Sequence, residues 1–143
     1  MSPSRRKRIF YMPADHIIEY HDKVIKKHGG RGGLYPDSGG RVESVLHTVQ
    51  YYSGLRYRSL VGKAAYLMYL LLKGHSFPDG NKRTGILSGM VFLHLNGFDL
   101  EANETELEEF ACWLADSSPS EKDQVITKMM NWLRPRIIKT KNT

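Results

Sequence analysis

The sequence predicts one all-α domain of about six helices, with a short loop or hairpin flap between the first two. Three observations carry that expectation. Apolar residues recur at helical spacing in segments too long for strands. Glycine, proline and cap-type residues fall where such helices would start and stop. Strand-like stretches are confined to short pieces, and there is no repeat or low-complexity linker.

In chain order, a first helix is predicted from about Ala14 to His28, with Pro13 suited to the first turn and Gly29-Gly30 stopping it. Its stripe of Ile17, Tyr20, His21, Val24 and Ile25 makes one face core. From Gly29 to Gly40, six glycines and Pro36 exclude any regular element longer than a few residues, leaving a connector or a short hairpin. A second helix, about Arg41 to Tyr52, turns Val42, Val45, Leu46 and Val49 inwards. Tyr51, Tyr52 and Tyr57, interleaved with Arg56 and Arg58, have the composition of a base-stacking surface, but beside a buried helix they read as a roof over the core.

The third helix, capped by Ser59 and running to about Lys73, has almost no polar face through Ala64, Ala65, Leu67, Met68 and Leu70 to Leu72. It is predicted to be the buried centre. Gly74 ends it and delivers His75. A fourth helix, about Asn81 to Leu95, carries Gly85 and Gly89 one turn apart. Each glycine costs about 1 kcal/mol in a helix relative to alanine, which points to close approach of a neighbouring helix. Phe98 to Leu100 reads as a short extended connection. Asn103 and Glu106 form a capping box for helix five, whose Leu107, Phe110, Ala111 and Leu114 face inwards. Ser120 is the expected cap of helix six, with Val125, Met129, Trp132 and Leu133 inside, before Pro135.

These elements place a domain at residues 13–134 between basic tails at 1–12 and 135–143. A chain of 143 residues can build a real core, and 41% hydrophobic with 25% charged residues is ordinary globular composition. No apolar run approaches the roughly 18 residues that would cross a membrane. The basic cluster Arg5 to Arg8 lacks an apolar segment of signal-peptide length after it, so a cytoplasmic location is expected. Net charge is +6, but residues 1–12 and 134–143 hold eight of the 21 basic residues and no acidic one, leaving 13 basic against 15 acidic residues between them. The ends therefore read as solvated tails, and specific nucleic-acid binding is not expected. Cys112, the single cysteine, excludes an intramolecular disulfide and reads as a small buried hydrophobe. His16, His21, His28, His47 and His94 lack ligand-type spacing and read as structural or surface residues.

The chemistry concentrates between His75 and Gly85. Pro78 biases Phe77 towards an extended conformation, Asp79 reads as the N-cap of helix four, and Gly80-Asn81 lets the backbone come close to a ligand. Free N–H groups at a helix start attract anions. Lys82 and Arg83 oppose the helix dipole at a cost of about 0.3 to 1 kcal/mol each, a sign that a bound polyanion would reverse. One imidazole, one carboxylate able to share Mg2+ with phosphates, and a cationic N–H cradle form a set suited to phosphate transfer.

His75-x-Phe77-x-Asp79-Gly80-Asn81-Lys82-Arg83, with seven fixed positions in nine, resembles the signature loop of the Fic/Doc family. The Fic branch reads HxFx(D/E)GNGRxxR and the Doc branch HxFx(D/N)(A/G)NKR. His21 to Gly30 and Gly97 to Leu100 are also similar to Doc proteins, so the resemblance spans roughly residues 14–115. It implies a helical fold of that family, with the 29–40 segment as a flap beside the site and Leu34 to Ser38 docking an extended target peptide. It also implies His75 as the base that deprotonates a target hydroxyl, Asp79 as the holder of Mg2+, and Gly80, Asn81, Lys82 and Arg83 as the binding site for ATP or another nucleotide.

The branches differ in what they transfer. Fic proteins transfer AMP, and their motif has Gly where Lys82 stands and a second Arg where Ile86 stands. Founding Doc proteins move the gamma-phosphate to a threonine of elongation factor Tu. Lys82 and Ile86 lean towards Doc, whereas Gly80 matches Fic. The resemblance thus implies a toxin-type kinase acting on a protein substrate and inhibiting translation, with AMP transfer as the alternative. A third reading is a catalytically silent binding protein that uses its basic tails. Many Fic proteins carry an inhibitory helix reading (S/T)xxxE(G/N). Thr105 and Glu109 come nearest to it, but Phe110 stands in the last position, so the resemblance implies a small separate antitoxin.

Overall fold

The structure, a computed structural model, describes residues 8–141. Six helices follow one another: α1 (Ala14–His28), α2 (Ser38–Tyr51), α3 (Leu60–Lys73), α4 (Asn81–Leu95), α5 (Glu104–Asp116) and α6 (Lys122–Leu133). Two three-residue strands, β1 (Phe98–Leu100) and β2 (Ile137–Lys139), complete the described fold. The all-α expectation holds.

The molecule is built on α3. Every residue from Gly62 to Tyr69 is buried, as the missing polar face required. Ser59 caps the helix by accepting from the Gly62 amide at 3.0 Å. Lys63 is buried too, and its ammonium donates to the Val49 carbonyl at 2.9 Å, at the end of α2 where exposed carbonyls and the helix dipole favour a cation. The pairing of α3 with α4 is the most extensive in the molecule. A Cβ on Gly85 would lie 3.3 Å from both Leu72 N and Met68 O, so the α4 glycines serve close packing. α1 packs on α4 and α2, α6 on α3, and α5 on α4 and α3. Fully buried Leu67, Leu71, Phe77, Phe92, Leu93, Leu114 and Ile126 each contribute about 1.5–3 kcal/mol by leaving water. None of the described helices is long and apolar enough to cross a membrane.

Several local expectations change. α2 begins at Ser38, so Gly39 and Gly40 belong to the helix. The Ser38 hydroxyl anchors that first turn, accepting from the Tyr35 amide and donating to the Ser76 carbonyl. Ser120 lies in a 3-10 turn, Pro119–Glu121, that precedes α6. Cys112 is exposed, because Phe110, Ala111 and Leu114 occupy the inward face of α5. Tyr57 is buried and bonds Asp123, while Tyr51 and Tyr52 are 64% and 68% exposed on the last turn of α2. Within the stretch read as a C-terminal tail, β2 pairs antiparallel with β1, Phe98 opposite Lys139 and Leu100 opposite Ile137. Within the N-terminal stretch, Met12 is buried and Asn96 bonds both the N–H and the carbonyl of Phe10. The basic residues Arg5, Arg6 and Lys7 lie outside the described residues.

Candidate active site

Between α3 and α4 the chain must turn while carrying His75, and three helices hold that turn in place. Gly74 closes α3 by donating to Leu70 O at 2.9 Å. His75 then adopts φ +49°, the only positive φ at a described non-glycine residue. That conformation costs an L-residue about 1–2 kcal/mol and persists only where the surroundings fix it.

The fixing groups are side chains aimed at successive carbonyls. Arg41 Nη1 of α2 donates to His75 O at 2.9 Å, and Ser38 Oγ, also of α2, donates to Ser76 O at 2.6 Å. Asn81 of α4 closes a ring with Phe77, donating to its carbonyl at 2.8 Å and accepting from its amide at 3.1 Å. His21 Nε2 of α1 bonds Asp79 O at 2.8 Å, which requires a hydrogen on Nε2. The same imidazole stacks on the buried Phe77 ring with centroids 4.0 Å apart.

Asp79 does not cap α4. Its Oδ1 accepts from the Gly80 amide and its Oδ2 from the Arg31 amide, each at 2.8 Å, which ties it to the flap. The Arg31 amide first, then the Gly80 amide, hold this exposed carboxyl below its ordinary pKa. The cap is Gly80 itself, at φ +79°. That left-handed backbone favours glycine, and a Cβ there would come within 3.1 Å of Ile25 Cδ1. The first turn of α4 therefore has neither a side-chain cap nor an acidic residue. Lys82 and Arg83 stand exposed at it, with no hydrogen-bond or ion-pair partner among the described residues.

The six residues expected at the site thus meet at one loop–helix junction, though not all present their side chains. Asn81 is engaged with Phe77 and offers the outside only its backbone N–H. Ile86 is buried in the core. Sequence reasoning missed Arg41, placed Ser38 in the peptide-docking segment although it is fully buried against the loop, and took His21 as structural or surface without its tie to the loop. They lie 34 to 58 residues from their loop partners, and only the fold brings them together.

The flap, residues 29–37, contains no strand. Leu34 and Tyr35 are 50% and 38% exposed. A cleft of about 240 Å³ opens between α1 and the flap, lined by Ile18, His21, Ile25, Gly33 and Leu34 among others. A larger cleft of about 340 Å³, between α5 and α6, shares no residue with the loop. Glu109, of the near-match to an inhibitory helix, lines that distant cleft, and Phe110 is core.

The model of the Fic/DOC family matches residues 11–93. The chain is 32% identical over 91 residues to the protein kinase doc of Escherichia phage P1, across 61% of this chain and 68% of that protein. It is 45% identical over 47 residues to the toxin Doc of Mycolicibacterium smegmatis, across 33% of this chain and 36% of that one.

Proposed function

We propose that this chain, which belongs to the Fic/DOC family, is a Doc-like toxin that transfers the gamma-phosphate of ATP to a hydroxyl of a protein target. The observation that carries this reading is the junction itself. A histidine, an ionised carboxylate, a helix N-terminus without a side-chain cap and two exposed cations converge where α3 passes to α4. The relative named as a protein kinase supports phosphate as the group moved.

In this mechanism the imidazole of His75 takes the proton of the target hydroxyl as its oxygen bonds the gamma-phosphorus. The bond from that phosphorus to the bridging oxygen breaks, and ADP leaves with the electron pair. The N–H groups at the start of α4, with Lys82 and Arg83, bear the charge on the phosphates. Little covalent work falls to the protein, so rate depends on placement, and the pinned loop supplies it.

Mg2+ fits this junction through Asp79. No group of three or more His, Cys, Asp or Glu side chains among the described residues could hold a metal alone. Mg2+, however, commonly binds through one or two carboxylates with substrate phosphates completing its shell. Asp79 is exposed, held ionised by two amides, and retains lone pairs for a cation. Bound there, Mg2+ would neutralise phosphate charge.

Two positions bear on the alternative, AMP transfer. Gly80 matches the AMP-transferring branch, but its left-handed backbone explains the glycine without reference to the donor. Ile86, in place of that branch's second arginine, belongs to the core, where a guanidinium would have to be desolvated. The first position is therefore neutral, and the second favours phosphate. A small antitoxin and a target such as elongation factor Tu belong to the same proposal, as what the Doc-like motif from His75 to Arg83 implies.

The test is incubation with Mg2+, cell extract and ATP labelled on the gamma- or the alpha-phosphate, beside His75→Ala. Label on a protein band from gamma-labelled ATP alone supports the kinase. Label from alpha-labelled ATP alone means AMP transfer, and neither label moves the weight to another nucleotide donor or to a silent binding protein.

A further inference from the structure

Two residues of α2, far from the motif in sequence, contact the loop just where its backbone is least favourable. Arg41 binds the carbonyl of His75 and Ser38 the carbonyl of Ser76, so two consecutive carbonyls after α3 are held from one helical turn. Ser38 is fully buried, whereas Arg41 is exposed, with its guanidinium also on Asp37 at 3.0 Å and 4.9 Å from the Tyr35 ring centroid. The imidazole of His75 itself makes no hydrogen bond among the described residues, so its direction is set through its backbone.

We infer that Arg41 and Ser38 are positioning residues, which hold His75 in its left-handed conformation and so aim the imidazole at the target hydroxyl. This rests on His75 being the base. The alternatives open to the chain make the need plain. Without a donor on its carbonyl, His75 gains by relaxing into ordinary backbone space, and the ring swings with it. The nucleotide side of the junction would not follow, because Asn81, His21 and the Arg31 amide hold Phe77 to Gly80 independently of α2. The same turn also ends the flap, since the Tyr35 amide bonds Ser38 Oγ and the Ser38 amide bonds Tyr35 O. A peptide pressed on Leu34 and Tyr35 therefore bears on the turn that orients the base.

Arg41 is the residue to change, because it is exposed and its loss leaves the core intact. In Arg41→Ala, kcat for transfer should fall about ten- to a hundredfold, as expected when a reacting group is misplaced. Nucleotide affinity and melting temperature should stay within error. Arg41→Lys, which keeps a donor on a shorter arm, should recover part of the loss. A readout independent of the reaction is the NMR spectrum of His75, whose amide and imidazole signals should broaden or double in Arg41→Ala. Unchanged His75 signals, an unchanged kcat, or nucleotide affinity falling as far as kcat would each overturn the positioning role. His75→Ala separates the two levels: full activity there removes the base, while the NMR comparison still reads whether Arg41 holds the loop.

Discussion

Two loops border the candidate site, and they are built on opposite plans. In the motif loop, the carbonyls of His75, Ser76, Phe77 and Asp79 are each held by a side chain from α1, α2 or α4. In the flap, residues 29–37 are all exposed, and the amides of Arg31 and Tyr35 are bound at its two ends. The difference separates two tasks. A base and a phosphate site need fixed geometry, because misplacement by about 1 Å can cost a hundredfold in rate. A surface that receives an extended peptide needs free backbone groups and the freedom to adjust. Asp79 belongs to both loops, through Gly80 on one side and Arg31 on the other.

The largest expected effect lies in the fixed loop. His75→Ala should lower kcat by about 10² to 10⁴, the usual span for loss of a general base, with no fall in melting temperature because His75 is exposed and its ring has no hydrogen-bond partner among the described residues. Gamma-phosphate transfer and a thermal melt of the same preparation check both halves. A large fall in melting temperature would mean that the ring, as well as the backbone, supports the loop.

Asn81→Ala probes the pinning. It leaves both the amide and the carbonyl of Phe77 without their partner, at about 1–3 kcal/mol for part-buried groups. The melting temperature should drop by several degrees. A change as slight as that of an exposed flap substitution would show that the loop holds without this ring and would erase the contrast.

These contacts also mark how far the sequence could be read. Helix positions, the buried character of α3, the α4 glycines and the Asn103–Glu106 box were legible, because each leaves a mark in its own helix: an apolar face, a costly glycine pair one turn apart, or a cap three residues from its partner. The motif residues were legible because they lie together in the chain. Arg41 and Ser38 were not, since nothing within α2 singles them out until the fold sets that turn against His75. Asp79 was misread as a cap because an aspartate before a helix ordinarily caps it. Here a left-handed Gly80 intervenes and turns the carboxylate towards Arg31. β2 escaped notice because a three-residue strand has too short a pattern to register before its partner is known.

The tie between the loops should respond to pH in a defined direction. Asp79 has a lowered pKa in the folded protein, so its ionised form is the one the Arg31 and Gly80 amides favour. That contribution is present in full above the unfolded carboxyl's pKa and is lost as pH falls through the lowered folded value. The Arg31 amide shift, followed by NMR on acidification, should therefore titrate with a midpoint below that of an ordinary aspartate, and Asp79→Asn should abolish the titration. A midpoint at the ordinary value would mean that the flap is not held by the charge.

The smallest effect tests the flap's looseness. Gly32 has a φ outside the left-handed range, and a Cβ there would meet nothing nearer than Ile25 Cγ2 at 3.8 Å. Alanine fits that backbone, and by narrowing the unfolded ensemble it should stabilise the protein by about 0.4–1 kcal/mol. Gly30 offers the opposite case within the same flap: φ is +116°, and a Cβ would lie 2.9 Å from Asp79 Oδ2, so alanine there should destabilise and disturb the carboxylate. Denaturant melts of the two variants decide the matter. A gain at Gly32 with a loss at Gly30 means that the flap is constrained only where it meets Asp79. Loss at both would mean that its backbone is specified along its length, and the two loops would then differ in exposure but not in rigidity.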